Sequence, residues 1–136
     1  MKILGLNRVE LLLPPDQLDE AVRVFNDVLG ADFDPPELLT EHQVLSTTDF
    51  EVGLELFGPG GPDSALHASL ARKGVGAIGP IVWEVEDLDE AKRELVGKGY
   101  AIYFEYENAE KGIRQLCLDP AEMFGYTITF MQRTRS

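Results

Sequence analysis

The chain has 136 residues, enough for one domain with a real core. Twelve basic residues against twenty-four acidic ones leave a net charge of −12, which argues against DNA or RNA as partners, because phosphate binding needs a basic footprint. No apolar run reaches the length of about 18 residues that a membrane span needs, "MKILGLNRVE" carries no legible secretion signal, and a single cysteine, Cys117, excludes an intrachain disulfide, so a cytoplasmic protein is expected.

The first element is a short β-favouring run, "RVELLL", Arg8 to Leu13, ending at Pro14-Pro15. Asp16 follows as an expected N-cap, and Leu18, Ala21, Val22, Phe25 and Leu29 fall at helical spacing before Gly30 stops the helix. A further short strand is expected near Phe33. After Pro35-Pro36 come two strand-like runs, "QVLSTTDF" and "EVGLELF". A Gly/Pro loop, "GPGGPDS", leads to a short amphipathic helix with Leu66 and Leu70 on one face, read as a linker packed on the outside.

The order then repeats. "PIVWEV", Pro80 to Val85, is a strand. Asp87 is an N-cap with Glu90 in a capping-box position, and Leu88, Ala91 and Leu95 form a buried stripe that ends at Gly97 and Gly99. "YAIYFEY", "IRQLCL" and "YTITFM" follow as strands. The words "DQLDEA" (Asp16 to Ala21) and "EDLDEA" (Glu86 to Ala91) open the two helices. The expected fold is α+β: two β-α-β-β-β modules forming a curved mixed sheet around a concave pocket, helices outside. It is a single domain, with module one at about 5–58, a linker helix at about 62–74 and module two at about 78–132.

These stretches resemble the vicinal-oxygen-chelate superfamily, which includes glyoxalase I, bleomycin-resistance proteins and extradiol dioxygenases. "LNRVELLLPPDQLDEAVRVFNDVLGADF" looks like its opening module and "LDPAEMFGYTITFM" like its closing one. "GPDSALHASLARKGVGAIGPIVWEVEDLDEAKRELVGKGY" is most similar to the methylmalonyl-CoA epimerase branch. The resemblance implies four metal-binding positions, His, Glu or Gln, His, and Glu, one on each of four strands. The matching positions here are Arg8, Glu55, Pro80 and Thr129. Only Glu55 is of ligand type. Arg8 repels cations, Pro80 has no donor and Thr129 is a weak neutral ligand, so no metal and no other cofactor is expected. The carboxylate base of the epimerase branch aligns with Ser46 or Thr47, neither of which is a base. Asp49 and Glu51 lie nearby in sequence.

Strand alternation extends the reading. With Arg8 on the pocket face, Glu10 and Leu12 join it, while Val9, Leu11 and Leu13 face the helices. Glu55 brings Gly53 and Glu51, Pro80 brings Val82 and Glu84, and Thr129 brings Thr127 and Met131. The opposite parity would bury Glu10, Glu55 and Glu84 in an apolar core. The expected site is thus an Arg8–Glu55 ion pair at the old metal position, lined by Pro80, Thr129, Leu12, Val82 and Met131. Glu10 and Glu84 are the candidate general bases if crowding raises their pKa values. Tyr103, Phe104, Tyr106, Phe124 and Tyr126 are expected as strand core, with Tyr103 the candidate pocket wall. His42, His67 and Cys117 are expected to be structural.

The loss of three ligand-type residues favours a metal-free protein that binds a small organic molecule, as bleomycin-resistance-like proteins do. The alternative is an enzyme of the glyoxalase/epimerase type, an isomerase or lyase acting next to a carbonyl. It would be either a metal-independent isomerase or cyclase using a glutamate base, or a metal-dependent epimerase or lyase. By analogy with the superfamily a homodimer is expected.

Overall fold

A computed structural model describes residues 1–74 and 76–134. The strands and helices alternate as the repeat requires: β1 (Ile3–Leu12), α1 (Leu18–Leu29), β2 (Glu37–Leu39), β3 (Val44–Asp49) and β4 (Leu54–Pro59), then α2 (Leu66–Lys73), then β5 (Ile78–Val85), α3 (Leu88–Gly97), β6 (Ile102–Asn108), β7 (Ile113–Leu118) and β8 (Ile128–Arg133). This is the α+β class with two β-α-β-β-β modules. The chain divides into two compact units. One is Arg8–Gly79; the other joins Met1–Asn7 to the residues from Pro80 onward. No helix among the described residues is long and apolar enough to cross a membrane.

In the Arg8–Gly79 unit the strand order is β2-β3-β4-β1, with β1 parallel to β4 and the other neighbours antiparallel. Its two faces carry different chemistry, because side chains alternate along each strand. Leu11, Leu13, Leu45, Leu54 and the fully buried Leu56 face α1, packing with Leu18, Ala21, Val22, Phe25 and Phe33. On the other face Leu12, Phe57 and Val44 pack with Ala77 and with Leu66 and Leu70 of α2. So α2 does pack by its Leu66/Leu70 face, but on the side of the sheet opposite α1, not outside with it. There α2 covers Leu12 and Phe57 and removes their apolar area from water.

Four local expectations need correction. Asp16 is not the N-cap of α1: Pro15–Gln17 is a 3-10 turn, Gln17 takes the cap position, and no side chain accepts a hydrogen bond there. Pro14-Pro15 sets this, since each proline fixes its own φ and the second opens the tight turn. The short strand is Glu37–Leu39; Phe33 instead packs in the core, its backbone held in both directions by the Asn26 amide. Leu29 is exposed at the end of α1. Glu51 and Gly53 belong to a turn, not to β4. Asp49 builds that turn: its Oδ1 accepts from the N–H groups of Glu51 and Val52, and Gly53 takes φ +80°.

In the second unit the strand order is β5-β8-β7-β6, with β5 parallel to β8 and the rest antiparallel. Trp83, Val85, Leu116, Leu118, Ile128 and Phe130 pack against Leu88, Ala91 and Leu95 of α3. Asp87 caps α3, accepting from Glu90 N–H, and Gln132 Oε1 accepts from Leu88 N–H. The aromatic residues expected as core are mostly not core: Tyr103, Phe104, Phe124 and Tyr126 are exposed, and Tyr106 is half-buried. Two causes are visible. The β6–β7 register shifts between Ile102 and Phe104, and Phe124 sits at φ +59° in a turn before β8.

Candidate functional site

Arg8, Glu10, Glu55 and Thr48 form one polar cluster on the sheet face opposite α1. Glu10 and Glu55 are partners in the parallel β1–β4 pair, and Glu55 and Thr48 are partners in the antiparallel β4–β3 pair. Three oxygen-bearing side chains therefore stand in a row across three strands. Arg8, two residues before Glu10, shares its face and lies diagonally from Glu55.

The guanidinium joins both acids. Arg8 Nε donates to Glu55 Oε1 at 2.9 Å, and a terminal nitrogen of Arg8 lies 3.0 Å from Glu10 Oε2. Thr48 Oγ1 donates to the same Glu55 oxygen at 3.0 Å. Phe50, from the turn that Asp49 builds, places its ring 5.8 Å from the Arg8 guanidinium carbon, within cation–π range. Arg8 is 5% exposed and Glu10 6%. Burial, and next the Glu55 carboxylate, push Glu10 well above the ordinary carboxylate range, and the pull of Arg8 in the other direction is weaker.

The expected Arg8–Glu55 pair is therefore present, and Glu10 is part of it. Leu12, on the same face, is buried under α2. In the other unit, Glu84 pairs with Arg133 at 2.9 Å. Val82 and Met131 are fully buried and Pro80 half-buried, while Thr129 Oγ1 lies 3.2 Å from Cys117 Sγ. Tyr103 is 69% exposed on β6. His67 Nε2 lies 2.9 Å from the Gly61 carbonyl oxygen. Three participants escaped the sequence reading: Thr48, Phe50 and Arg133. For Thr48 and Phe50 the available signal was Asp49 followed by Gly53, a turn signature that fixes the β3–β4 register.

A divalent metal does not fit this donor set. A permanently charged guanidinium stands among the carboxylates, reaching Glu55 at 2.9 Å and Glu10 at 3.0 Å, and repels a second cation there. Among the described residues no group of three or more His, Cys, Asp or Glu side chains is arranged to hold a metal ion.

Comparison with solved structures defines the fold. The chain has the vicinal-oxygen-chelate fold. It is similar to methylmalonyl-CoA epimerase from Mycobacterium tuberculosis, with a TM-score of 0.84 and 21% identity over 98% of this chain and 90% of that one. It is also similar to a Streptomyces coelicolor methylmalonyl-CoA epimerase variant in complex with 2-nitronate-propionyl-CoA, with a TM-score of 0.81 and 22% identity over 98% of this chain and all of that one (100%). A hypothetical protein from Bacillus halodurans matches with a TM-score of 0.81 and 18% identity, over 96% of this chain and 95% of that one. No protein-family model and no curated protein sequence matches the chain.

Proposed function

We propose that the protein is an epimerase-like isomerase that exchanges a proton at a carbon next to a carbonyl, using the Glu10–Glu55 pair and Arg8. The carrying observation is the buried Glu10 carboxyl beside a second carboxylate and one guanidinium. A passive binder has no use for an acid whose charged form is disfavoured by its surroundings, whereas a proton-transfer enzyme does. The similarity to methylmalonyl-CoA epimerases supports the enzymatic reading over the passive one.

The pair holds one proton and one negative charge opposite Arg8. In the forward step the charged carboxylate takes the proton from the substrate carbon. The C–H bonding electrons become the enolate, and the negative charge passes from the carboxylate to the enolate oxygen. The total charge around Arg8 does not change, which keeps the step inexpensive in a dry site. Return of a proton to the carbon restores the carboxylate. No step passes through a metal, and Glu84, paired with Arg133, has no role in it.

The test is deuterium uptake. The protein is incubated in D2O with methylmalonyl-CoA, other 2-substituted acyl-CoA thioesters and simple 2-substituted β-keto esters, and mass is followed. The reading expects uptake of one deuterium at the carbon next to the carbonyl, abolished in Glu10→Gln. Tight binding of these compounds without exchange would return the protein to the class of passive binders.

A further inference from the structure

We propose that Glu10, Glu55 and Thr48 form a cation site that the chain fills with its own Arg8 guanidinium, so that a free cation enters only when Arg8 is removed. The geometry of unlike partners carries this. Two different nitrogens of one guanidinium reach two different carboxylates, at 2.9 and 3.0 Å, from neighbouring strands. Thr48 adds a third oxygen, bonded to the Glu55 oxygen that also receives Arg8 Nε. The Phe50 ring lies 5.8 Å from the guanidinium carbon, an arrangement that attracts a cation and screens it from water.

An ordinary surface ion pair does not have this form. Arg8 and Glu10 are both buried, so the Glu10 carboxylate cannot rely on solvent for its counter-charge, while Glu55 is half-buried. A planar fork suits two carboxylates held apart on separate strands better than a point charge does. With Arg8 truncated, the remaining ligands are all oxygen, the donor type that hard divalent cations accept. The site is thus built for positive charge, and the Arg8 side chain supplies that charge at a fixed position.

The test uses no substrate, so its outcome is independent of the reaction proposed above. Wild type, Arg8→Ala and the double variant Arg8→Ala/Glu55→Gln are melted with methylguanidinium, with the neutral isostere methylurea, with manganese chloride, and with sodium chloride at matched ionic strength. Wild type should respond to none beyond the salt control and should hold no stoichiometric metal by elemental analysis after dialysis. Arg8→Ala should gain roughly 5 °C or more from methylguanidinium or manganese, and nothing from methylurea. The double variant should lose most of that gain. If Arg8→Ala is unfolded by itself, the same additives are scored by the far-ultraviolet dichroism they restore. Stoichiometric metal in wild type overturns the proposal. So does an Arg8→Ala chain that methylguanidinium and manganese neither stabilise nor refold.

Discussion

Glu10 and Glu55 stand side by side on neighbouring parallel strands, and both carboxylates close on the single guanidinium of Arg8. Two acids for one cation is an arrangement that water would relax and that burial preserves. Its consequences for stability can be measured without knowing the substrate.

Glu10→Gln should separate stability from activity. Unfolded, Glu10 titrates at about 4.3; folded, it titrates higher, because burial and Glu55 disfavour its charge. Between those two values the folded chain binds more protons than the unfolded chain. Stability therefore falls as pH rises through that window, and the loss is complete above the folded value. Glutamine mimics the protonated acid, accepting from Arg8 and donating to Glu55. The variant should gain Tm relative to wild type at pH 8, gain little at pH 4.5, and show no deuterium uptake. Equal destabilisation at both pH values would contradict this account of Glu10.

Arg8→Ala should be severe. It leaves two acids facing each other in a buried place, and removing one partner of a buried pair costs about 3–5 kcal/mol. The loss should shrink as pH falls and Glu10, whose charged form burial and the neighbouring Glu55 disfavour, takes up its proton. Arg8→Lys should recover only part, because an ammonium cannot fork to both strands. Urea denaturation at two pH values measures all three.

Glycine positions offer a contrast within one chain. A methyl group on Gly58 would run into the backbone carbonyl oxygen of Leu13, which has no room to retreat. Gly58→Ala should therefore destabilise by about 1–3 kcal/mol. Gly97, in the last turn of α3, has open space around the same methyl, so Gly97→Ala should stabilise by roughly 0.5–1 kcal/mol. Equal effects at the two positions would argue against the close strand approach at Gly58.

The helix caps provide a second contrast. Asp87 accepts from Glu90 N–H at the start of α3, whereas no side chain caps α1. Asp87→Ala should cost about 0.5–2 kcal/mol. Asp16→Ala should stay within about 0.5 kcal/mol of wild type, as surface substitutions away from special features do. Thermal melts of the pair at one pH are sufficient.

The sequence revealed much of this because alternation is a local property. Leu11 and Leu13 against Arg8 and Glu10 fix which face of β1 meets α1, and the Arg8–Glu55 pair follows once two strands share that face. The repeated "LDEA" likewise marked both helices. Contacts that depend on register or on turns were not legible. Thr48 meets Glu55 only because the Asp49 turn sets how β3 returns along β4, and Phe50 reaches Arg8 from that same turn. The side of the sheet that α2 covers depends on the path of the loop before it, which composition alone does not determine. The exposed aromatics of β6 failed for a related reason: β-propensity describes fit to a half-buried surface, not which strands have such a surface.

The charge at the centre of the cluster belongs to a side chain and is therefore synthesised with the protein. Every folded copy carries it, in one-to-one proportion and at one position. A centre charged in this way needs no delivered ion, so on the proposal above a chelator should leave the stability of the wild-type protein unchanged. The feature ties the presence of that charge to the folding of the chain.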